Sequence, residues 1–342
     1  MTSSPTSPRS FLRRGRVPAL TALLTAGLLA TSGCLGLGTA GGFVPTGKLT
    51  GPLEGTKSLE GTTISVGSKN FSENVLLGKM AIVLLQSAGA TVTDLTNIPG
   101  SASAREAMLN GQIQGMWEYT GTGWITYLGH EKPIPDEQKQ YEAVRSEDLK
   151  KNDLVWLKPA PMNNTYGFAT TQESFKKYKV EKLSELNKVP VGERTFCVES
   201  ELINRPDGLK GMLEKYDVPL GDPKGVPRDN LKTFQTGAIY DATAKGACTF
   251  GEVFTTDGRI QALNLKVLED DRSFFPKYNV SFVLNKETAK EHPEIQDLIA
   301  PVAEKLTNKV LLGLNAQIDV EGREPADVAF EWLKKEGFLT DK

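Results

Sequence analysis

Residues 63–98 read TISVGSKNFSENVLLGKMAIVLLQSAGATVTDLTNI, and this stretch decides the fold class. Residues 63–66 have the short apolar pattern of a β-strand and run into a polar turn. Ser72 is a suitable N-cap for a helix, because apolar residues then recur at helical spacing as far as Gly89. Residues 92–98 return to the pattern of a strand. Short strands that alternate with amphipathic helices are typical of an α/β protein.

The same alternation continues along the rest of the chain, without a repeated period. The further predicted strands are residues 113–119, 155–157, 166–170, 195–199 and 250–254. The further predicted helices are residues 102–109, 136–151, 183–186 and 209–215, and a mostly helical tail over residues 292–338. Because roughly 280 folded residues are too many for one hydrophobic core, we expect two lobes.

The first 33 residues have the pattern of a secretory signal peptide. Four arginines and no acidic residue accompany an apolar stretch at residues 17–30, which is too short for a stable membrane span. Small residues then lead directly to Cys34, which resembles the lipoprotein cleavage box whose cysteine carries a diacylglyceryl anchor. The alternative is an ordinary signal peptide with an incidental cysteine. We expect the lipoprotein, because an exposed thiol beside the cleavage site would otherwise be reactive.

Residues 34–61 are predicted to be a flexible tether, because residues 35–61 hold eight Gly and two Pro. Signal peptide, lipid and tether together indicate a globular part held at the extracytoplasmic face of the cell membrane. The formal charge of −2 becomes about −6 once the four arginines of the signal peptide are removed. A chain this acidic is not expected to bind nucleic acid.

Cys197 and Cys248 are the two cysteines that remain in the body of the chain. Each lies in a strand-like run, so neighbouring strands could bring them together, and outside the cytoplasm such a pair is a disulfide candidate. Two buried free thiols are the alternative. There is no Cys-x-x-Cys or Cys/His spacing, and His130 and His292 are the only histidines, so we expect neither a metal nor another cofactor.

Charged and aromatic residues follow several of the predicted strands. Lys69 follows the first strand, Tyr119 ends the third within a Gly/Thr-rich turn, and Arg205 follows a strand of the second lobe. In open α/β sheets the carboxyl ends of the strands and the loops after them form the ligand crevice. Together these residues predict a ligand site in a cleft between the lobes. Taken one at a time, Lys69 could be solvated, and Arg205 could pair with Asp207.

These residue types suit a zwitterion that carries a quaternary ammonium group. Methyl groups surround such a cation, so a carboxylate cannot form a hydrogen bond to it, whereas aromatic faces attract it. The candidate aromatic faces are those of Tyr119, Tyr166, Tyr278 and Phe254. The candidate contacts for a carboxylate at the other end of the ligand are Arg205, Lys69 and the Thr122 hydroxyl. The tryptophans assigned to packing are Trp117, Trp124 and Trp156.

Several longer runs resemble those of one known family. They are residues 67–73 (GSKNFSE), 118–123 (EYTGTG), 163–166 (NNTY), 205–209 (RPDGL), 256–260 (TDGRI) and 268–276 (LEDDRSFFP). Over most of residues 62–340 the chain resembles the substrate-binding proteins of ABC importers for glycine betaine, choline and related compatible solutes. Runs of this length in this order are specific, because they rarely arise by chance.

The resemblance implies a two-lobe, type II periplasmic-binding-protein fold that closes on its ligand. We expect lobe I to comprise residues 62–161 and 276–342, and lobe II residues 162–275. By position, the resemblance implies an aromatic box of Tyr119, Tyr166, Phe254 and Tyr278. It also implies carboxylate contacts from Lys69, Thr122 and Arg205. The family has Tyr at the position of Phe254, so one hydroxyl is missing here, and nearby Tyr240 is an alternative for this wall.

The predicted function is that of the lipid-anchored binding component of an ABC importer. It would capture glycine betaine or a similar osmoprotectant and deliver it to a permease with a cytoplasmic ATPase, as a monomer and not as an enzyme. Choline, carnitine and ergothioneine are alternative ligands, and choline ranks lower because it would leave Lys69 and Arg205 without an anionic partner. A surface-anchored hydrolase is the alternative of another class. It is disfavoured because there is no Gly-x-Ser-x-Gly motif, and neither His130 nor His292 lies beside a candidate nucleophile.

Overall fold

The computed structural model describes residues 43–342. The predicted signal peptide and Cys34 lie outside these residues. The strands within them are β1 (Lys48–Leu49), β2 (Thr63–Lys69), β3 (Thr91–Ile98), β4 (Gly115–Tyr119), β5 (Leu154–Trp156), β6 (Tyr166–Thr170), β7 (Phe196–Val198), β8 (Leu231–Thr233), β9 (Phe250–Phe254), β10 (Lys266–Val267), β11 (Val280–Asn285) and β12 (Leu339–Thr340).

The helices alternate with these strands, and together they confirm the predicted α/β class. The α-helices are α1 (Ser72–Ser87), α2 (Ser101–Leu109), α3 (Glu137–Asn152), α4 (Gln172–Tyr178), α5 (Ser200–Asn204), α6 (Leu209–Lys215), α7 (Thr236–Ala244), α8 (Arg259–Ala262), α9 (Lys286–Glu291), α10 (Glu294–Ala303), α11 (Asn308–Asp319) and α12 (Pro325–Lys335). Short 3-10 helices are Gly51–Leu53, Leu183–Lys188, Val191–Glu193 and Arg228–Asn230. From residue 43 onward, no helix combines the length and apolar character that crossing a membrane requires.

One five-stranded sheet has the order β3-β2-β4-β11-β5. β2 runs parallel to β3 and β4, whereas β11 runs antiparallel to β4 and β5. Because β2 ends at Lys69 and β4 ends at Tyr119, parallel pairing brings both residues to the same edge of the sheet. Val280 of β11 lies opposite Tyr119, which brings nearby Tyr278 to that edge as well.

The second five-stranded sheet has the order β10-β6-β9-β7-β8. Tyr166 at the start of β6 lies opposite Phe254 at the end of the antiparallel strand β9. β7 runs parallel to β9, so the chain leaves β7 at the edge where Phe254 lies. This chain continues through α5 to Arg205. The topology of the second sheet therefore places Tyr166, Phe254 and Arg205 together.

The two sheets are built from the chain segments that the predicted lobes contain. Strands of the first sheet come from residues 63–156 and 280–285, and strands of the second come from residues 166–267. The exact lobe limits of 62–161 with 276–342 and of 162–275 stay a prediction.

The central helix of the first core is α1, most of whose residues are buried. It packs on β2 and β3 and against the C-terminal helices α10, α11 and α12. The prediction of a helix here is confirmed, but Phe71 rather than Ser72 occupies the N-cap position. The Ser72 hydroxyl instead donates a hydrogen bond to Asp319 Oδ1 at 2.5 Å, so it joins α1 to α11.

Part of the predicted tether is folded. Lys48–Leu49 pairs in antiparallel fashion with Leu339–Thr340, and the side chains of Leu53 and Leu59 are buried in the first core. The high glycine content of this segment was misleading. The buried leucines and the pairing of β1 with β12, near the other end of the chain, hold the segment in place. A tether over all of residues 34–61 is therefore wrong for the part after residue 47.

One local prediction differs from the structure, and another agrees with it. The Gly/Thr-rich segment after Tyr119 is helical rather than a tight turn, and Thr122–Tyr127 forms a π-helix. The tail predicted to be mostly helical over residues 292–338 consists of the three helices α10, α11 and α12, and Thr307 caps α11 through its hydroxyl.

Cys197 in β7 and Cys248, just before β9, form a disulfide with a Cα–Cα distance of 5.6 Å. Both side chains are buried beside Ile239 of α7. The alternative of two free thiols does not hold in the structure. The disulfide joins residues 51 positions apart and ties the segment before β9 to its neighbouring strand.

Candidate functional site

All seven residues predicted to contact a ligand line one pocket, where the edges of the two sheets face each other. The space between its lining atoms is about 490 Å³, a figure that includes open solvent at its mouth. The predicted residues are Lys69, Tyr119, Thr122, Tyr166, Arg205, Phe254 and Tyr278. The pocket is completed by residues that were not predicted to contact a ligand, namely Asn70, Phe71, Ser101, Asn164, Glu199, Glu201 and Thr236.

Aromatic rings form much of the pocket wall. The ring centroid of Tyr166 lies 5.2 Å from that of Phe254 and 5.6 Å from that of Tyr278, to which it is nearly perpendicular. The Phe71 ring lies 5.3 Å from Phe254 and 5.9 Å from Tyr119, so it links the aromatic residues of the two sheets. Phe71 was missed because an aromatic residue just before a helix is usually assigned to packing. Its position two residues after Lys69 was the available signal.

Two of the tyrosine hydroxyls in this wall donate hydrogen bonds to buried carboxylates. Tyr119 donates to Glu73 Oε1 at 2.7 Å, and Tyr278 donates to Asp207 Oδ2. Burial raises the pKa of both phenols well above the ordinary value, and the neighbouring carboxylates raise each pKa further. Both hydroxyls therefore stay protonated and remain donors at neutral pH, with their rings fixed against the pocket.

Lys69 is a buried cation with a partner inside the protein. Only 4% of its surface is exposed, and its Nζ lies 2.6 Å from Glu118 Oε1. The same Nζ lies 4.8 Å from the ring centroid of Tyr119 and 5.7 Å from that of Phe71. The interpretation of Lys69 as a solvated side chain is wrong, and the ammonium group faces the aromatic wall.

Arg205 also has its own carboxylate partners. Its Nε and Nη2 donate to the two carboxylate oxygens of Asp207, both at 2.8 Å. The alternative that Arg205 pairs with Asp207 is therefore confirmed. Its Nη1 donates to Glu201 Oε1 at 3.2 Å. The guanidinium carbon lies 5.4 Å from the ring centroid of Tyr166 and 5.9 Å from that of Tyr278. Asp207 thus holds both the guanidinium and the Tyr278 hydroxyl in place.

Glu201 joins the two sides of the pocket. Its Oε1 accepts a hydrogen bond from the Ser101 hydroxyl at 2.5 Å, and its Oε2 accepts one from the Ser101 backbone N–H at 3.3 Å. Ser101 begins α2, beside the first sheet, whereas Glu201 lies on α5, beside the second. Nearby Glu199 accepts from the Thr236 hydroxyl at 2.8 Å, and partial burial raises its pKa. These contacts join residues up to 100 positions apart and have no local sequence signal.

Thr122 and Phe254 line the pocket from opposite sheets. Thr122 is buried on the π-helix that follows β4. The backbone N–H of Phe254 donates to the Tyr240 hydroxyl at 2.9 Å, while the Tyr240 side chain is buried with Ala169 and Val253. Tyr240 is not among the residues that line the pocket, so the alternative that it replaces the Phe254 wall is wrong.

The three tryptophans assigned to packing have different surroundings. Trp117 and Trp156 are fully buried in hydrophobic cores, as predicted. Trp124 is half-buried, stacks on His130 and donates from its indole N–H to the Lys132 carbonyl at 2.9 Å. None of the three lines the pocket.

A pocket that lies between two β-sheets, with walls of aromatic rings and two buried cations, is typical of a solute-binding protein. The family model described as the substrate-binding domain of ABC-type glycine betaine transport systems matches residues 62–335, and the chain belongs to this family. The protein is therefore a solute-binding component of an ABC transporter and not an enzyme.

Similar proteins agree with this assignment. The glycine-betaine-binding protein of Pseudomonas aeruginosa is 34% identical over 287 residues, which cover 82% of this chain and 89% of that protein. The carnitine transport binding protein OpuCC of Listeria monocytogenes is 30% identical over 283 residues, which cover 82% of this chain and 89% of that protein. A crystal structure described as a glycine betaine/carnitine/choline ABC transporter is 31% identical with a TM-score of 0.65, and the match covers 80% of this chain and 98% of that chain. The predicted two-lobe periplasmic-binding-protein fold is confirmed.

Proposed function

We propose that the pocket binds a quaternary-ammonium solute, with glycine betaine as the first candidate. The aromatic box of Tyr119, Tyr166, Phe254 and Tyr278 would hold the trimethylammonium group, and Phe71 would extend it. The observation that carries this proposal is that rings from both sheets line a single pocket. The names of similar proteins, which include glycine betaine and carnitine, support the same ligand class.

The physical basis is that a quaternary ammonium ion has no hydrogen to donate. Its attraction to the face of each ring contributes about 0.5–1 kcal/mol at an exposed site and about 2 kcal/mol or more when the site is desolvated. At the other end of the ligand, Lys69, Arg205 and the Thr122 hydroxyl would contact a carboxylate. Binding would draw the two sheets together, because the rings that surround the cation belong to both.

The proposal includes the place of the protein in the cell. The predicted signal peptide and lipidated Cys34 would hold it at the extracytoplasmic face of the cell membrane. There it would act as a monomer and deliver its ligand to an ABC permease driven by a cytoplasmic ATPase. Labelling with a radioactive fatty acid checks the anchor, since Cys34→Ala should remove the label; a label retained in this variant would contradict the assignment.

Two substitutions test the pocket directly. We expect Tyr166→Ala and Arg205→Ala each to weaken glycine betaine binding by at least about tenfold, because one removes an aromatic wall and the other a cation. Isothermal titration calorimetry measures both. Tyr178→Ala is a matched control, because this tyrosine lies on α4 and does not line the pocket. Thermal melting checks that each variant folds, and unchanged affinity in both pocket variants would reject the aromatic box.

One observation favours choline as a second candidate. Choline would not leave Lys69 and Arg205 without anionic partners, because Glu118 and Asp207 already pair with them. Glu199 and Glu201 add further negative charge at the pocket, which suits a ligand with a net positive charge. A thermal-shift panel of glycine betaine, choline, carnitine and ergothioneine distinguishes these ligands. The largest shift at equal concentration identifies the preferred one.

A further inference from the structure

Glu73, behind the aromatic wall, is a buried carboxylate that accepts four hydrogen bonds. It lies in the first turn of α1, and only 3% of its surface is exposed. Its Oε1 accepts from the Tyr119 hydroxyl at 2.7 Å and from Asn164 Nδ2 at 2.9 Å. Its Oε2 accepts from the Thr256 hydroxyl at 2.5 Å and from Asn315 Nδ2 at 3.0 Å. Every lone-pair direction of this carboxylate therefore faces a donor.

This arrangement fits an ionised carboxylate. Burial raises the pKa of Glu73 above its ordinary value, and the four hydrogen bonds oppose only part of that rise. The amide nitrogens of Asn164 and Asn315 can only donate, one to each oxygen, so a proton on either oxygen could be accepted only by the hydroxyl of Tyr119 or Thr256. The N-terminal turn of a long helix also favours negative charge. The four hydrogen-bond donors to Glu73 are neutral, and the nearby Lys69 ammonium, which lies 4.8 Å from the Tyr119 ring centroid, pairs with Glu118 instead.

The charge of Glu73 reaches the pocket through Tyr119. A phenol that donates to a carboxylate is polarised by it, and the electron density of its ring rises, which strengthens the attraction of the ring for a cation. Tyr278 also donates to a carboxylate, but Asp207 is at the same time paired with Arg205. Tyr119 therefore differs from Tyr278, because the carboxylate that its hydroxyl contacts, that of Glu73, forms no ion pair within residues 43–342.

We propose that Glu73 is a specificity-determining residue of the pocket. Its carboxylate makes the Tyr119 wall more negative and so selects a cation over an uncharged group of the same shape. Glu73 does not line the pocket and acts as a positioning and polarising residue through Tyr119. This inference rests on the proposed binding of quaternary ammonium ligands.

The test compares choline with 3,3-dimethylbutan-1-ol, in which a carbon atom replaces the charged nitrogen and the shape is kept. We expect Glu73→Gln to lower choline affinity by about tenfold and to change the affinity of the alcohol by less than about twofold. Tyr119→Phe keeps the ring but removes the hydrogen bond, so the ratio of the two affinities should fall by about threefold. Both substitutions remove the same hydrogen bond between Glu73 and Tyr119. The fold-loss in the affinity ratio of the double variant should therefore be smaller than the product of the two single fold-losses.

Calorimetry measures choline binding, and competition against choline measures binding of the alcohol. Glu294→Gln is the matched control, because Glu294 is another buried glutamate but lies on α10, away from the pocket lining. If Glu73→Gln does not fold, Tyr119→Phe carries the test. If the ratio of choline affinity to alcohol affinity is unchanged in the folded variants, the role proposed for Glu73 is overturned, whereas the proposed function is not. If the unaltered protein binds no quaternary ammonium compound, the proposed function itself fails.

Discussion

At the scale of single residues, Glu252 of β9 is a buried acid with an incomplete set of hydrogen bonds. Its Oε2 accepts from the Glu199 backbone N–H at 2.7 Å, whereas its Oε1 has no partner among the described residues. Burial raises the pKa of Glu252 to about 8, although the hydrogen bond from Glu199 lowers it. A carboxyl group in this position is therefore protonated over most of the neutral range.

This pKa predicts how stability depends on pH. The folded-state pKa of about 8 exceeds the ordinary value of 4.5, so the folded protein binds this proton more tightly than the unfolded chain does. The resulting stabilisation is complete below the ordinary pKa and is lost as the pH rises through about 8. We expect the melting temperature to fall less steeply in Glu252→Gln than in the unaltered protein between about pH 5 and about pH 9. Differential scanning calorimetry measures this, and parallel pH profiles would refute it.

At the scale of elements, the helical segment after β4 depends on two glycines for close packing. Gly121 has ordinary helical angles, φ −63° and ψ −44°. A Cβ on Gly121 would lie 2.7 Å from Cδ1 of Tyr278, and one on Gly123 would lie 2.8 Å from Cη2 of Trp156. The glycines therefore allow this segment to approach β11 and β5 closely, and Gly121 makes room for an aromatic wall of the pocket.

We expect Gly121→Ala to reduce the free energy of unfolding by about 1–3 kcal/mol, because the added methyl group overpacks a buried contact. It should also weaken ligand binding, since the Tyr278 ring has to shift. Gly313→Ala in α11 is the control, because a Cβ there meets nothing within 4 Å. This control should be neutral or stabilise the protein by up to about 1 kcal/mol, as alanine favours a helix interior. Denaturant titration and calorimetry compare the two, and equal effects would contradict the packing role.

At the scale of the whole molecule, the two sheets have separate hydrophobic cores and meet at the pocket. The first core is centred on α1, and the second is formed by residues of α6, β7 and their neighbours. The disulfide belongs to the second sheet and does not line the pocket. Its removal should therefore affect the stability of one part of the molecule more than the geometry of the site.

We expect Cys197→Ser with Cys248→Ser to reduce the free energy of unfolding by about 4 kcal/mol, because the bond closes a loop of about 50 residues. Ligand affinity at a temperature where the variant is folded should change by less than about twofold. Thermal melting with and without a reductant measures the first effect, and calorimetry measures the second. If a reductant lowers the melting temperature of the double variant as much as that of the unaltered protein, the disulfide is not the cause.

The fold class and three pocket residues, Lys69, Tyr119 and Arg205, have a local signal in the sequence, whereas the full set of seven followed from the resemblance to the family. Hydrophobic periodicity gives strands and helices, and residues after strand ends converge at one edge of a sheet. Phe71 follows Lys69 by two residues, but this signal is ambiguous, because an aromatic residue before a helix serves equally well in packing. The tether was misjudged for a related reason, since glycine content describes the freedom of a segment but not the partner that β1 finds at β12.

By itself, the sequence determined an α/β protein of two lobes and the residue types that line its pocket. Only the tertiary structure decided which ion pairs and hydrogen bonds those residues form. Lys69 pairs with Glu118 across 49 positions, Tyr119 with Glu73 across 46, and Ser101 with Glu201 across 100. The physical reason is that periodicity and strand ends depend on near neighbours, whereas ion pairs and buried hydrogen bonds depend on which distant segments meet when the two sheets pack.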